Sequence, residues 1–468
     1  MSDTANIFDI HFSPDSLSDP VSLASITSAV SACVKNGDLP ALRNFLEAHE
    51  TADVAALFSK LPGPLAIGAM AALDTHDQAR LFGYLAPPCQ AELSKLIGRR
   101  DLATIMAAMS PDERADLYKR LDPLAQEAVL PGLALAERDD LRRLASYPEG
   151  AVGAIMTSNY ATLSPHLNAP EAIDALRRQA LDSETIYQSY VTDEHRRLLG
   201  VVDLRDLLVA RSDQRVQDIM DGEPAHVRAE APREEAASLI SRYDLLAVPV
   251  IDESDKLVGI VTQDDAMDVQ EEEATTDFYK AGTVQRLATS VRDATLMALY
   301  RARISWLVLL VFFNIFSGAG IAYFEETIQA NVVLLFFLPL LIASGGNAGS
   351  QSSTLMVRAL ATGDVGLSDW ASMLSREIAV ALLLGLSMAV PVSLLGVVRA
   401  GPEIAVVVSI TMVAIVLVGS LVGMTLPFLL NRFRFDPATA SGPLITSIAD
   451  VLGVLIYFGI ATRMLTLA

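Results

Sequence analysis

Five apolar runs, near residues 304–323, 332–357, 377–398, 404–430 and 441–464, occupy the end of this 468-residue chain. At 1.5 Å per residue, each is long enough as a helix to cross a hydrocarbon core about 30 Å thick. Lipid offers no partner to backbone polar groups, so such runs are confined to a helical membrane bundle. Arg301 and Arg303 precede the first run, Arg358 and Arg376 border the second and third, and Arg432 and Arg434 join the fourth and fifth. Basic residues favour the cytoplasmic side. The first 290 residues are therefore expected in the cytoplasm and, with an odd number of spans, the C-terminus outside. Met1 to Pro20 is polar and acidic with no basic region followed by an apolar stretch, so no signal peptide is expected.

Two of the runs are not uniformly apolar. The second contains Gly345-Gly346-Asn347-Ala348-Gly349-Ser350-Gln351-Ser352-Ser353-Thr354, small residues that allow close backbone approach and amides or hydroxyls that can replace part of an ion's water shell. The fifth carries Ser441, Gly442, Pro443, Thr446, Ser447 and Asp450 at helical spacing, opposite Leu444, Ile445, Ile448, Val451 and Leu452. An ionised group at bilayer depth costs roughly 2.5–3.5 kcal/mol even on lenient scales, and marks a functional position by default. No lysine or histidine follows residue 290 to neutralise Asp450. Either it is a structural carboxylate bonded to neighbouring hydroxyls, or it serves a mobile cation. One subunit supplies one such face, and a two-fold homodimer, the commonest symmetry, would line a path from both sides with paired Asp450.

Charge divides sharply between the two parts. Residues 1–290 hold 47 Asp and Glu against 26 Lys and Arg, whereas residues 291–468 hold 9 of each sign, so the whole net charge of -21 belongs to the first part. Such a balance excludes nucleic acid and anionic lipid as partners of the soluble part, since both need a basic face. Cys33 and Cys89 have no metal-like spacing and are expected as reduced thiols.

Residues 150–275 contain an internal repeat. An amphipathic helix at Ala169–Arg178, a strand at Ile186–Asp193, the string Leu198-Leu199-Gly200-Val201-Val202-Asp203 and a helix at Leu204–Val209 recur as Arg233–Tyr243, Leu246–Asp252, Leu257-Val258-Gly259-Ile260-Val261-Thr262 and a helix from Gln263. Ile155-Met156 and Ile219-Met220 precede the two copies. The order, spacing and glycine placement resemble a tandem pair of cystathionine-β-synthase (CBS) domains, which sense ligands or dimerise.

Seven carboxylates and no basic residue lie between Asp264 and Asp277. Such a run is a solvated helix face or, because like charges at i,i+3 and i,i+4 repel, a segment stabilised by divalent cations. Magnesium, held by few carboxylates and several retained waters, suits loosely clustered acids, and no twelve-residue calcium loop is present. Residues 22–146 read as a stack of short helices with cap-then-proline starts at Ser110-Pro111 and Asp122-Pro123. Asp112, Glu113 and Asp116 there are candidates to join the cation sites. Between 278 and 303, Val284, Leu287, Val291, Leu296 and Leu299 share one side of an amphipathic connector.

Tyr147-Pro148-Glu149-Gly150, the CBS pair, Glu273-Ala274-Thr275, Gly346-Asn347-Ala348-Gly349, and Asp436-Pro437-Ala438 through Ser441-Gly442-Pro443 to Asp450 together resemble the MgtE family of magnesium channels or transporters, in order along essentially the whole chain. The resemblance implies a mixed fold. It comprises a disordered tail (1–21), an all-α cytoplasmic N domain (22–146), α/β tandem CBS domains (147–277), a connecting plug helix (278–303) and an α-helical five-span domain (304–468), assembled as a homodimer in the cell's inner membrane. It implies that Asp450 lines the pore and recognises hydrated magnesium and that Thr446 one turn earlier contributes to the lining; the small, polar run puts Gly346, Asn347 and Thr354 on the same path. The sensor sites it implies fall on Asp244, Asp265, Asp268, Glu273 and Asp277, with Glu234, and Asp112 remains a candidate from the charge pattern of the helical stack. Pro232 and Thr276 stand where members often have acids, and Ser350 and Gly442 where some have asparagines. Some members bind nucleotide at the CBS pair. Arg205 matches a residue used there, while Gln188 and Leu245 stand in place of aromatics, which leaves ATP open as a ligand without favouring it.

Magnesium import, closed by cytoplasmic magnesium, is the function this implies. Another divalent cation such as cobalt or manganese, or secondary-active transport, fits the same fold. An intramembrane metalloprotease needs a set such as His-Glu-x-x-His in a span, and no histidine follows His226. A serine nucleophile is unsupported because no base accompanies Ser350 or Ser352. No enzymatic activity is therefore expected.

Overall fold

The computed structural model describes residues 12, 17, 19–287, 291 and 294–465. Its chain divides into two units between Glu271 and Glu272. The expected tail, 1–21, falls mostly outside the described residues, and its last two positions already open the helix Pro20–Asn36.

In the first unit, ten short α-helices run from Pro20–Asn36 to Leu135–Ala145. Their starts follow the local chemistry: Asp19, Asp38, Asp74 and Asp122 each accept a hydrogen bond from a backbone N–H of the following first turn. Helices of about ten residues are marginal alone. Here they share an apolar core that includes Leu42, Phe58, Phe82 and Leu117, and that core continues without a break into Val248, Val250, Val261 and Ala266 of the second CBS copy.

Each CBS copy is a three-stranded sheet. The first pairs β1 (Thr162–Leu163) parallel to β2 (Gln188–Thr192) and β2 antiparallel to β3 (Leu198–Asp203). The second repeats this with β4 (Val227–Arg228), β5 (Ala247–Ile251) and β6 (Leu257–Thr262). Bulges fall at matching positions, Val191/Thr192 and Val250/Ile251. The two Ile-Met segments are exchanged. Met220 and Asp221 press on Gly200 of the first copy, and Met156 and Thr157 on Gly259 of the second, in each case so closely that a Cβ would lie under 3 Å from them.

The connecting helix differs from its expected place. It spans Gln263–Ala281, and the described residues from 282 to 295 are not helical. Carboxylate repulsion does not prevent a helix there because the segment continues directly from β6, with Ala266 and Val269 buried. Gly282 and Thr283, the latter at φ 55°, end it.

In the second unit, four helices are long and apolar enough to cross a membrane: Leu296–Tyr323, Leu367–Ala400, Pro402–Arg432 and Gly442–Leu465. The remaining expected run is a 28-residue helix, Leu334–Ala361, apolar in its first half and small and polar in its second. Pro402–Arg432 is central and packs on Leu334–Ala361 through glycines. A Cβ on Gly419 would lie 2.3 Å from the Gly345 carbonyl oxygen, and one on Gly423 2.0 Å from that of Gly349. The two backbones therefore touch. Leu334–Ala361 is further held by Tyr457, whose hydroxyl donates to the Leu334 carbonyl at 2.9 Å. Large apolar side chains such as Leu307, Phe312, Phe316, Leu383 and Val390 stay exposed on the outer helices, as a lipid-facing surface requires.

Candidate functional site

Two acidic regions emerge, one in each unit. In the membrane unit, the small residues of Leu334–Ala361 admit the start of Gly442–Leu465. Gly346 is pressed against Thr446, whose Cγ2 would lie 2.9 Å from a Cβ at that position. The Ser350 hydroxyl lies 3.3 Å from the Gly442 carbonyl and 3.4 Å from the Thr446 hydroxyl. Ser353 donates to Ala440 O at 2.7 Å. Asp450 follows Thr446 by one turn, is half-buried, and has neither a hydrogen bond nor an ion pair among the described residues. The reading of Asp450 as a carboxylate held by neighbouring hydroxyls is therefore not met in the chain.

The polar face expected on that helix is narrower than its spacing suggests. Ser447 is buried and donates to the Pro443 carbonyl at 3.0 Å, so its hydroxyl is spent on its own helix. On Leu334–Ala361, Asn347, Gln351 and Thr354 form an exposed stripe beside the Gly346 contact. Thr354 donates to Ser350 O at 2.8 Å.

In the first unit, two helix starts bring carboxylates together. Pro111 opens Pro111–Arg120 and places Asp112 and Glu113 in its first turn. Asp264 and Asp265 occupy the first turn of Gln263–Ala281, where Thr262 donates to Asp265 Oδ2 at 2.6 Å. Acids suit these positive helix ends. Here, however, they face one another. Asp112 is raised above the ordinary carboxylate range, first by burial, against which hydroxyls of Ser110 and Thr157 act. Asp265 is raised well above it by burial and by Asp112, with Asp264 and Glu184 adding. Glu113 is pushed to about 7 by burial, Asp112, Glu184 and Asp264. Glu184, which retains an exposed surface, is pushed to about 7 by desolvation, Asp112 and Asp264. Asp112 Oδ1 is sealed from solvent without a hydrogen-bond partner. A buried carboxylate oxygen with no donor, crowded by other acids, fits a hard cation such as magnesium. Among the described residues no three His, Cys, Asp or Glu groups are gathered closely enough to hold a metal ion between them.

The remaining sensor candidates separate into groups. Asp277 is raised by burial and by Asp436, opposed by Lys280, with Glu273 also within reach. Glu234 and Asp244 are exposed at opposite ends of Arg233–Tyr243, with Asp244 capping that helix at φ 52°. Asp268 is exposed on the connecting helix. Sequence reasoning missed Glu184, which sits in an irregular stretch with no periodic signal, and Lys280. The latter was readable three residues after Asp277, but its partner Asp436 lies 156 residues away.

A third feature is a cavity of about 360 Å³ in the CBS pair, lined in part by Gln188, Asp203, Asp206, Asp221 and Leu245 and by no basic residue.

The chain is similar to known proteins along most of its length. A family described as divalent cation transporter matches residues 338–460, the MgtE intracellular N domain matches 49–150, and CBS domains match 152–213 and 216–272. The magnesium transporter MgtE of Thermus thermophilus is 42% identical over 330 residues, 70% of this chain and 73% of that protein. MgtE of Bacillus subtilis is 35% identical over 339 residues, 71% of this chain and 74% of the relative. A crystal structure of the cytosolic domain of the Mg2+ channel MgtE in complex with ATP superposes with a TM-score of 0.50 at 36% identity, covering 52% of this chain and 99% of that one.

Proposed function

The chain belongs to the MgtE family of magnesium transporters, and from that premise we propose that it is a magnesium-selective channel closed by cytoplasmic magnesium. Leu334–Ala361 crosses the inner membrane as the second of five spans, the N and CBS domains lie in the cytoplasm and the C-terminus lies outside. Two subunits meet about a two-fold axis, so that two Asp450 carboxylates face one hydrated magnesium ion. The observation that carries this reading is the unpartnered Asp450 one turn from Thr446, whose side chain rests on Gly346. A carboxylate at that depth with no fixed cation attracts a mobile one. Retained waters then bridge the ion to Thr446, Asn347 and Thr354.

Closure follows from the acidic cluster of the first unit. Without magnesium, Asp112, Glu113, Asp264 and Asp265 repel, and the N domain and CBS pair are driven apart. With magnesium the charges are neutralised and the domains pack, a bistable element set by local charge. Glu273 and Asp277 carry this to the membrane unit, and Asp268, Glu234 and Asp244 supply further exposed contacts for the ion or for the second subunit. ATP is a weaker candidate for regulator, because three carboxylates and no basic group line the CBS cavity.

Asp450→Ala tests the pore assignment. It abolishes magnesium flux into proteoliposomes while the dimer still forms; undiminished flux overturns the assignment. Flux measured with cobalt or manganese, and with or without proton and sodium gradients, separates this reading from transport of another divalent ion or a coupled mechanism.

A further inference from the structure

We propose that Glu184 brings the first CBS copy into the divalent-cation site of Asp112 and Asp265, so that one hydrated ion ties three segments of the chain together. This rests on the sensor reading above and extends it to a residue outside the acidic run.

The segment 157–159 is the crossroads. Thr157 exchanges backbone hydrogen bonds with Ile260 of β6 at 2.9 and 3.0 Å, and its hydroxyl reaches Asp112. Ser158 donates to Asp140 of the N domain at 2.6 Å. Asn159 accepts the Glu184 backbone N–H at 2.8 Å. Glu184 is thereby anchored through two residues to the same position that anchors Asp112, and its carboxylate lies within electrostatic reach of Asp112 and Asp264.

What points to a ligand is the orphaned Asp112 Oδ1, sealed from water with no donor. Arg114 lies within electrostatic reach of Asp112 but makes no ion pair with it. Among the described residues no Lys or Arg forms an ion pair with Asp112, Glu113, Glu184, Asp264 or Asp265. Arg114, the neighbouring cation, donates instead to Met109 O at 2.8 Å and Ala107 O at 3.3 Å. Five acids from three segments, none of them held in an ion pair among the described residues, offer a site for a hard divalent ion. Magnesium keeps several of its waters when bound by carboxylates, so in the proposed site the ion reaches some of these acids through water.

The test uses full-length protein in detergent and magnesium as the probe, comparing Glu184→Gln, Asp112→Asn and the double variant. The magnesium concentration for half-maximal protease protection of the cytoplasmic part should rise about three- to ten-fold in each single variant. The double variant should be little worse than Asp112→Asn alone, because residues sharing one site are not additive. In EDTA, Glu184→Gln should melt no lower than the parent, since a repulsive charge has gone without loss of volume. A parental midpoint in Glu184→Gln beside a shifted Asp112→Asn overturns the assignment of Glu184 and leaves the sensor standing. Fully additive shifts place Glu184 elsewhere and also overturn it. If neither variant shifts, the sensor reading itself fails.

Discussion

Lys280, one residue before the end of the connecting helix, forms an ion pair with Asp436, in the loop between Pro402–Arg432 and Gly442–Leu465. Burial works against the lysine charge, yet the hydrogen bond and attraction of Asp436 prevail, and its pKa is raised. Asp436 also accepts the Ala438 N–H at 2.8 Å, so the pair joins the connecting helix to the turn that leads into the Asp450 helix. An amine thus provides a built-in counter-charge at a junction where Glu273 and Asp277 also gather.

Removing that charge should make closure more demanding. In Lys280→Met the unneutralised acids repel, and the magnesium concentration that half-closes the channel should rise about two- to five-fold, the scale of up to ~1 kcal/mol for a partly exposed pair. Flux against cytoplasmic magnesium in proteoliposomes measures it. An unchanged midpoint would show that the pair does not contribute to gating.

The glycine contact makes a packing prediction. A Cβ on Gly423 meets the Gly349 carbonyl oxygen at 2.0 Å, and backbone cannot yield as a side chain can. Gly423→Ala should destabilise the membrane unit by about 1–3 kcal/mol or more, as overpacking does. Gly459, whose added Cβ meets nothing within 4 Å, should tolerate alanine. Thermal denaturation followed by size-exclusion in detergent compares the two, and equal melting contradicts the close contact.

Acidity should substitute in part for magnesium. Glu113 and Glu184 titrate near 4.5 when free and at about 7 when packed, so the packed form binds protons more tightly. Its stability is full below pH ~4.5, declines as pH rises toward about 7, and stays low above that. In EDTA the melting temperature of the cytoplasmic part should fall by a few degrees between pH 5 and 8, and saturating magnesium should flatten the slope. A flat or rising profile in EDTA would contradict the buried cluster.

The CBS cavity predicts poor nucleotide binding. Asp203 is raised by burial and by Asp206, with a Gln188 hydrogen bond opposing, so acid already crowds the cleft. Millimolar ATP without divalent cation should leave the melting temperature unchanged, whereas Asp203→Asn with Asp221→Asn should admit a measurable shift. Strong stabilisation of the parent chain by ATP would show that phosphates are accommodated despite the lining.

Long-range features were legible in proportion to their periodicity. The long apolar helices were readable from hydropathy, with the start missed by eight residues where Leu296–Tyr323 extends ahead of its apolar run, and β2, β3, β5 and β6 from their repeated strings. By contrast β1 and β4, two residues each, carry no alternation to read. Asp112 and Asp265 were readable as candidates, but Glu184 was not, because only the folded chain brings an irregular stretch beside both. The connector was displaced for a similar reason: its acids look self-repelling in isolation, while Ala266 and Val269 anchor them to the core.

Where Gly345 and Gly349 rest on Gly419 and Gly423, no side-chain cushion separates two helices, and neither can roll or slide without a backbone collision. The polar wall at Gly346 and the central helix behind it must then travel as a single rigid strut. If the chain gates as proposed, the moving parts are then the loop at Asp436 and the helix that bears Asp450, and the wall at Gly346 keeps its shape while the width beside it changes.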